Sequence, residues 1–144
     1  MTARATPSSS RPGSALDSVR QRPLSARSPA FDSAAQLQVV QDSLLENEQL
    51  YGVYASTSPG IALVGVTNKR VILLDRAFPG GRVALVTVPY KGVVSVSYVS
   101  TDDEPIFSST IALQVGRTFY EFTCRSEQQA SDVHDLISYH IMDL

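Results

Sequence analysis

The 144-residue chain is 43% hydrophobic and 18% charged with a formal net charge of -2, which is the composition of one globular domain able to bury a core. Its longest apolar stretch, Ile61 to Val66, falls short of the ~18 residues that cross a bilayer, and the N-terminus carries no apolar signal core, so neither an integral membrane protein nor a secreted one is expected. A single cysteine, Cys124, excludes an internal disulfide framework and a CxxC metal or redox motif, and makes a cytoplasmic setting the default.

The charge is unevenly placed. Residues 1–30 hold five arginines against one acid, Asp17, whereas the remainder holds seven Lys and Arg against thirteen Asp and Glu. Rich in Ser, Pro and Ala, residues 1–30 bury too little apolar surface to offset their ordering entropy and read as a disordered basic tail. The composition also matches an organelle transit peptide, but Pro7, Pro12, Pro23 and Pro29 break the amphipathic helix that such a peptide uses. Two roles are open to the tail: a solvated extension, or contact with an anionic surface through Arg11, Arg20, Arg22 and Arg27.

Residues 31–144 read as a single folded domain. Asp32 or Ser33 can cap a helix in which Leu37, Val40 and Leu44 recur at helical spacing through Glu46. After Glu48 the period changes to that of strands, and seven are expected. The first two, Gln49 to Ala55 and Ile61 to Thr67, are joined by Ser58-Pro59-Gly60. Asn68-Lys69 is read as a two-residue turn in which Asn takes a positive φ, leading to Val71 to Asp75. Pro79-Gly80-Gly81 then turns the chain into Val83 to Val88, which Pro89 ends. In Val93 to Val99, Val94, Val96 and Tyr98 alternate with Ser95 and Ser97, predicting one buried and one wet face. A polar, acidic loop from Thr101 to Ser109 precedes a hairpin of Thr110 to Val115 and Thr118 to Cys124. Ser126 and Gln129 form a capping box for a final helix whose apolar stripe includes Ala130, Val133, Ile137 and Ile141. Seven antiparallel strands followed by one amphipathic helix predict a mainly β, α+β fold in which that helix covers an open part of the sheet system.

This order, with "LLENEQLYG" at 44–52, "GIALVGVTNKRVILLD" at 60–75, "VPYKGVVSV" at 88–96 and the final helix, resembles the pleckstrin-homology superfold. Within it, the chain is most similar to bacterial PH domains of the YokE-like type, which are akin to GRAM domains. The Thr-Asn-Lys-Arg segment between two apolar strands is the most specific element, and Gly92 departs from the polar residue expected before the fifth strand. The resemblance implies a PH-like barrel or sandwich of seven strands capped by a C-terminal helix, with a short helix before it. It implies little about ligand, because PH-like folds host lipid, peptide and protein binding alike.

Phosphoinositide-binding PH domains gather cations around the first strand-connecting loop. Here that loop, Ser56 to Gly60, has none, so specific phosphoinositide binding is not expected. Lys69 and Arg70 admit two readings: a two-cation anchor on the rim, or a solvated lysine beside an arginine paired with Asp75 or a helix carboxylate. His134 and His140 are six apart on one helix, where a metal pair needs three or four, and Asp102-Asp103-Glu104 lacks the spacing of a calcium loop. Cys124, next to Arg125 at a helix start, is either an activated thiol or a small buried hydrophobe. With no nucleophile elbow and no phosphate-binding glycine loop, the expectation is a non-catalytic binding or assembly module, without cofactor or metal, that holds a protein partner or a second copy of itself. The alternative is a peripheral membrane-surface protein attracted to anionic lipid through its tail.

Overall fold

The computed structural model describes residues 28–144. Arg11, Arg20, Arg22 and Arg27, and with them the expected tail, lie outside the described residues. The chain forms β1 (Ala30–Phe31), α1 (Ala34–Ser43), β2 (Leu50–Ala55), β3 (Ile61–Thr67), β4 (Arg70–Phe78) and β5 (Arg82–Pro89), followed by a 3-10 turn at Tyr90–Gly92. It continues through β6 (Val93–Tyr98), β7 (Thr110–Val115), β8 (Thr118–Thr123) and α2 (Glu127–Met142). β1 to β5 make one sheet and β6 to β8 a second, in sequence order. The arrangement is a PH-like sandwich, not a closed barrel. The seven expected strands are all present, and the eighth, β1, adds to the edge of β2 in parallel. Two residues are too few to carry a period, so β1 left no pattern to read.

The inner core joins both sheets to the final helix. Val64, Val66, Val71, Leu73 and Val88 of the larger sheet meet Ile111, Leu113 and Phe122 of the smaller one, and Ala130, Val133, Leu136 and Ile137 of α2 close the cluster. A second, smaller core lies on the opposite face of the larger sheet, where Val40 of α1 packs with Leu50, Val53, Leu63 and Ile72. β3 is thus buried on both faces, which is why "IALVGV" runs apolar without alternating. Gly65 is where α1 approaches most closely: a Cβ there would stand 3.2 Å from Val40 Cγ1.

Register shifts occur at four places in the two sheets, and two of them illustrate how a β-bulge changes which residues face inward. One at Leu50/Gly52 brings Tyr51 and Tyr54 into the same core although they are three apart. The other, at Val93/Ser95, corrects the expected alternation of β6: Val93, Val96 and Tyr98 pack inward, and Val94 is 61% exposed.

Helix ends and turns also differ in detail from expectation. Ser33 is the N-cap of α1, its Oγ accepting from Gln36 N, while Asp32 accepts from Ala55 N and from the Gln129 amide of α2. α1 ends at Ser43 and not at Glu46, because Glu48 folds back to accept Leu45 N at 2.9 Å. The positive φ belongs to Asn47 in that turn, not to Asn68. At the β3–β4 turn Thr67 Oγ1 accepts from both Lys69 N and Arg70 N at 3.0 Å, and Asn68 Oδ1 accepts from Gln49 N, so side chains hold a turn that needs no left-handed residue.

Candidate binding face

Lys69 and Arg70 stand side by side, but the structure gives them different surroundings. Lys69 is exposed at the tip of the turn. Arg70 opens β4 and shares its outer face with Ile72, so its side chain runs under the end of α1. Its Nε donates to Glu48 Oε2 at 2.8 Å, and one terminal nitrogen donates to Glu48 Oε1 at 2.9 Å and to Ser43 O at 2.8 Å. The other terminal nitrogen donates to Thr87 Oγ1 at 2.7 Å. This is the two-pronged carboxylate pairing that suits a guanidinium. It ties together the end of α1, the turn before β2, the start of β4 and the far end of β5.

Glu48 completes the network from inside. Its side chain is wholly buried, and it also accepts from Thr67 Oγ1 at 2.7 Å. Burial pushes its carboxyl up, but the hydrogen bonds from Arg70, Leu45 N and Thr67 outweigh that and hold it below its ordinary value. Thr67 O in turn accepts from the buried Tyr90 hydroxyl. Behind it, His140 of α2 is stacked between Tyr51 and Tyr90, with ring centroids 5.2 and 4.8 Å away. Four of the five guanidinium N–H groups of Arg70 are therefore committed within the protein. Chain spacing pointed to the cation, while its carboxylate lies 22 positions away in a turn, which no period along one element could indicate.

The other candidates are separate from this corner. His134 stacks on Tyr98 at 4.3 Å, well apart from His140 with its two tyrosines. Among the described residues no group of three or more His, Cys, Asp or Glu is assembled for a metal. The acids of the β6–β7 loop brace the loop itself, with Thr101 N donating to Glu104 and Thr101 Oγ1 to Asp103. Cys124 is 3% exposed; burial, with Asp32 and Asp132 nearby, pushes its thiol up to about 12, which corrects the reading of an activated thiol.

What the network frames is an uncovered strip of sheet. α1 packs over β2, so among the described residues the outer face of β4 and β5 is covered at Ile72 and in part at Leu74. In the β4–β5 register Ile72 opposes Thr87 and Leu74 opposes Leu85. Val86 and Val88 pack on the inner core, and the outward-facing Val83 and Leu85 are 61% and 45% exposed. β5 is also the terminal strand of its sheet, so backbone groups of one side stand open beside this apolar strip. Sequence alone did not single it out, since "VALVTV" is apolar on both faces and only the position of α1 decides which is bare.

The bacterial PH domain family matches residues 44–139. Among solved structures, a pleckstrin-homology domain from Shewanella amazonensis SB2B is 21% identical with a TM-score of 0.54, over 77% of this chain and 99% of that one. A protein with a pleckstrin-homology domain from Shewanella loihica PV-4 is 24% identical with a TM-score of 0.48, over 78% of this chain and 96% of its own. The hSac2 domain of the human phosphoinositide phosphatase Sac2 is 15% identical with a TM-score of 0.41, over 76% and 82% of the two chains. No curated protein matches. The family match spans β2 to α2, including Glu48, Arg70 and the bare strip of β5, and the chain belongs to the bacterial PH domain family.

Proposed function

We propose that the domain is a binding module that takes an extended protein segment, from a partner or from a second copy of this chain, along the open edge of β5. The observation that supports this reading is the pairing of a terminal strand with exposed apolar side chains at Val83 and Leu85. Backbone hydrogen bonds to β5 would supply register, and alternate apolar side chains of the added strand would cover the strip. The commitment of Arg70 to Glu48 supports a protein ligand over a phosphorylated one, because it withdraws that guanidinium from any anion at this corner. No reaction is assigned to the domain. The setting proposed with it is the cytoplasm; among the described residues no helix is long and apolar enough to cross a membrane.

The test is selection of peptide ligands on the full chain, followed by mapping of the contact from amide resonances. A selected peptide is expected to shift Arg82–Pro89, and Leu85→Lys is expected to weaken it at least ~10-fold, which is about 1.4 kcal/mol. Ligands that bind with unchanged affinity to Leu85→Lys would refute this assignment.

A further inference from the structure

The cations of the folded domain are not spread evenly over its surface. Of the seven Lys and Arg in residues 31–144, five lie between Lys69 and Lys91, where Asp75 is the one acid; the other twelve Asp and Glu share the rest of those residues with Arg117 and Arg125. In the structure the five bracket β5. Arg76 and Arg82 stand exposed at the β4–β5 hairpin end, while Lys69 and Lys91 stand exposed at the opposite end, where Arg70 opposes Pro89. Asp75 turns back to accept from Ala77 N at 2.9 Å, and among the described residues no ion pair joins Lys69, Arg76, Arg82 or Lys91 to a carboxylate. A positive rim around an apolar strand, on a domain that is otherwise acidic, selects a partner by charge as well as by shape.

Arg82 is the most firmly placed of these cations. Its Nε donates to Pro79 O at 2.9 Å, and its guanidinium carbon lies 5.3 Å from the centroid of the Phe78 ring. Gly80 makes room for that fold: its φ of 85° takes the left-handed turn, and a Cβ there would stand 3.3 Å from Arg82 Nε. The guanidinium is thus held at the mouth of the hairpin, and among the described residues its terminal N–H groups form no hydrogen bond. A carboxylate arriving there meets a donor fork that has already given up part of its freedom.

Resting on the reading that β5 accepts an added strand, we infer that the segment it takes is acidic: an extended stretch with apolar side chains at alternate positions beside Val83 and Leu85, and with Asp or Glu at its ends, one carboxylate on Arg82. β5 is eight residues long, ~26 Å at 3.3 Å per residue, so a strand that runs its whole length brings its end residues to both cation pairs. Cations at both ends favour acids in either chain direction, which leaves the backbone ladder to decide between parallel and antiparallel pairing. The open backbone edge favours a polypeptide over a bilayer, because lipid headgroups offer no strand to pair with it. A segment with basic flanks is rejected by the same rim.

The experiment uses the full chain and two fluorescein-labelled peptides, Glu-Glu-Thr-Val-Thr-Val-Thr-Val-Glu-Glu and the same sequence with Gln for every Glu, read by fluorescence anisotropy. The acidic peptide is expected to bind at least ~10-fold more tightly at low salt, with the gap narrowing as salt rises. Arg82→Gln is expected to remove most of that preference and to leave the affinity for the Gln peptide unchanged, whereas Arg117→Gln, on the turn between β7 and β8, keeps the preference. Leu85→Gln separates the two readings. If it weakens both peptides and the unaltered chain binds them equally, the β5 edge stands and the acidic segment is refuted; if it weakens neither, the β5 reading falls and takes this inference with it. Binding of neither peptide overturns the inference, as does a preference that survives Arg82→Gln, which places the acids on another surface. Sedimentation with phosphatidylserine vesicles that Arg82→Gln abolishes, while the two peptides bind alike, assigns the rim to membranes and overturns it as well.

Discussion

Glu48 and Arg70 show how one buried ion pair can decide the geometry of a surface. Glu48→Gln is expected to lower stability by about 3 kcal/mol, because it leaves the guanidinium of Arg70 without its counter-charge in a site that excludes water. Arg70→Lys should come close to the same loss, since an ammonium cannot reach Glu48, Ser43 O and Thr87 at once; urea denaturation measures both. Acid weakens the same corner in two stages. His140 donates from Nδ1 to Leu136 O, and its buried Nε2 has no hydrogen-bond partner among the described residues. Burial lowers its pKa below 6.5, against the opposing effects of Leu136 O and Asp143. The unfolded chain therefore takes up that proton first, and stability falls as pH drops below 6.5. Glu48 has the depressed carboxylate, so its contribution is full above 4.5 and is lost as pH falls through its lower folded value. Thermal melts from pH 7 to pH 3 should show both losses, and His140→Phe should remove the first alone. The cation pair was visible in the sequence as a turn marker. Its partner was not, because hydrophobic and charge periods describe one element at a time.

At the scale of elements, the fit of α1 to the sheet depends on Gly65. With 3.2 Å between its would-be Cβ and Val40 Cγ1, Gly65→Val forces the helix outward at a cost of about 1–3 kcal/mol. Hydrogen exchange should then show faster opening of Ala34–Ser43, while β7 and β8 keep their protection; equal loss in all three would mean that α1 is not an independent cap. Strand identities were legible because β2 to β5, β7 and β8 are long apolar runs between strong turn residues. The bulges at Leu50/Gly52 and Val93/Ser95 were not, as an extra residue shifts a period of two without altering composition. That shift turned Val94 outward.

Over the whole molecule, two cores share one sheet, and the larger sheet serves both. Its inner face meets β6 to β8 and α2, while its outer face is covered by the ten-residue α1, which leaves Val83 and Leu85 of β5 exposed. A mainly β domain closed by a C-terminal helix could be read from the order of patterns, but the bare strip could not, because coverage is a property of the assembled layers. If two copies associate through it, Leu85→Lys should shift the sedimentation coefficient back to that of the monomer, whereas Phe119→Lys on β8, a residue more exposed than Leu85, should leave the dimer intact. The short parallel strand β1 then acquires a meaning beyond edge protection. By occupying the side of β2, Ala30–Phe31 leaves the larger sheet with a single long edge to offer. If β5 pairs with its counterpart in a second copy, a two-fold axis relates the two chains, and such a pair would be complete at two instead of propagating as a fibre.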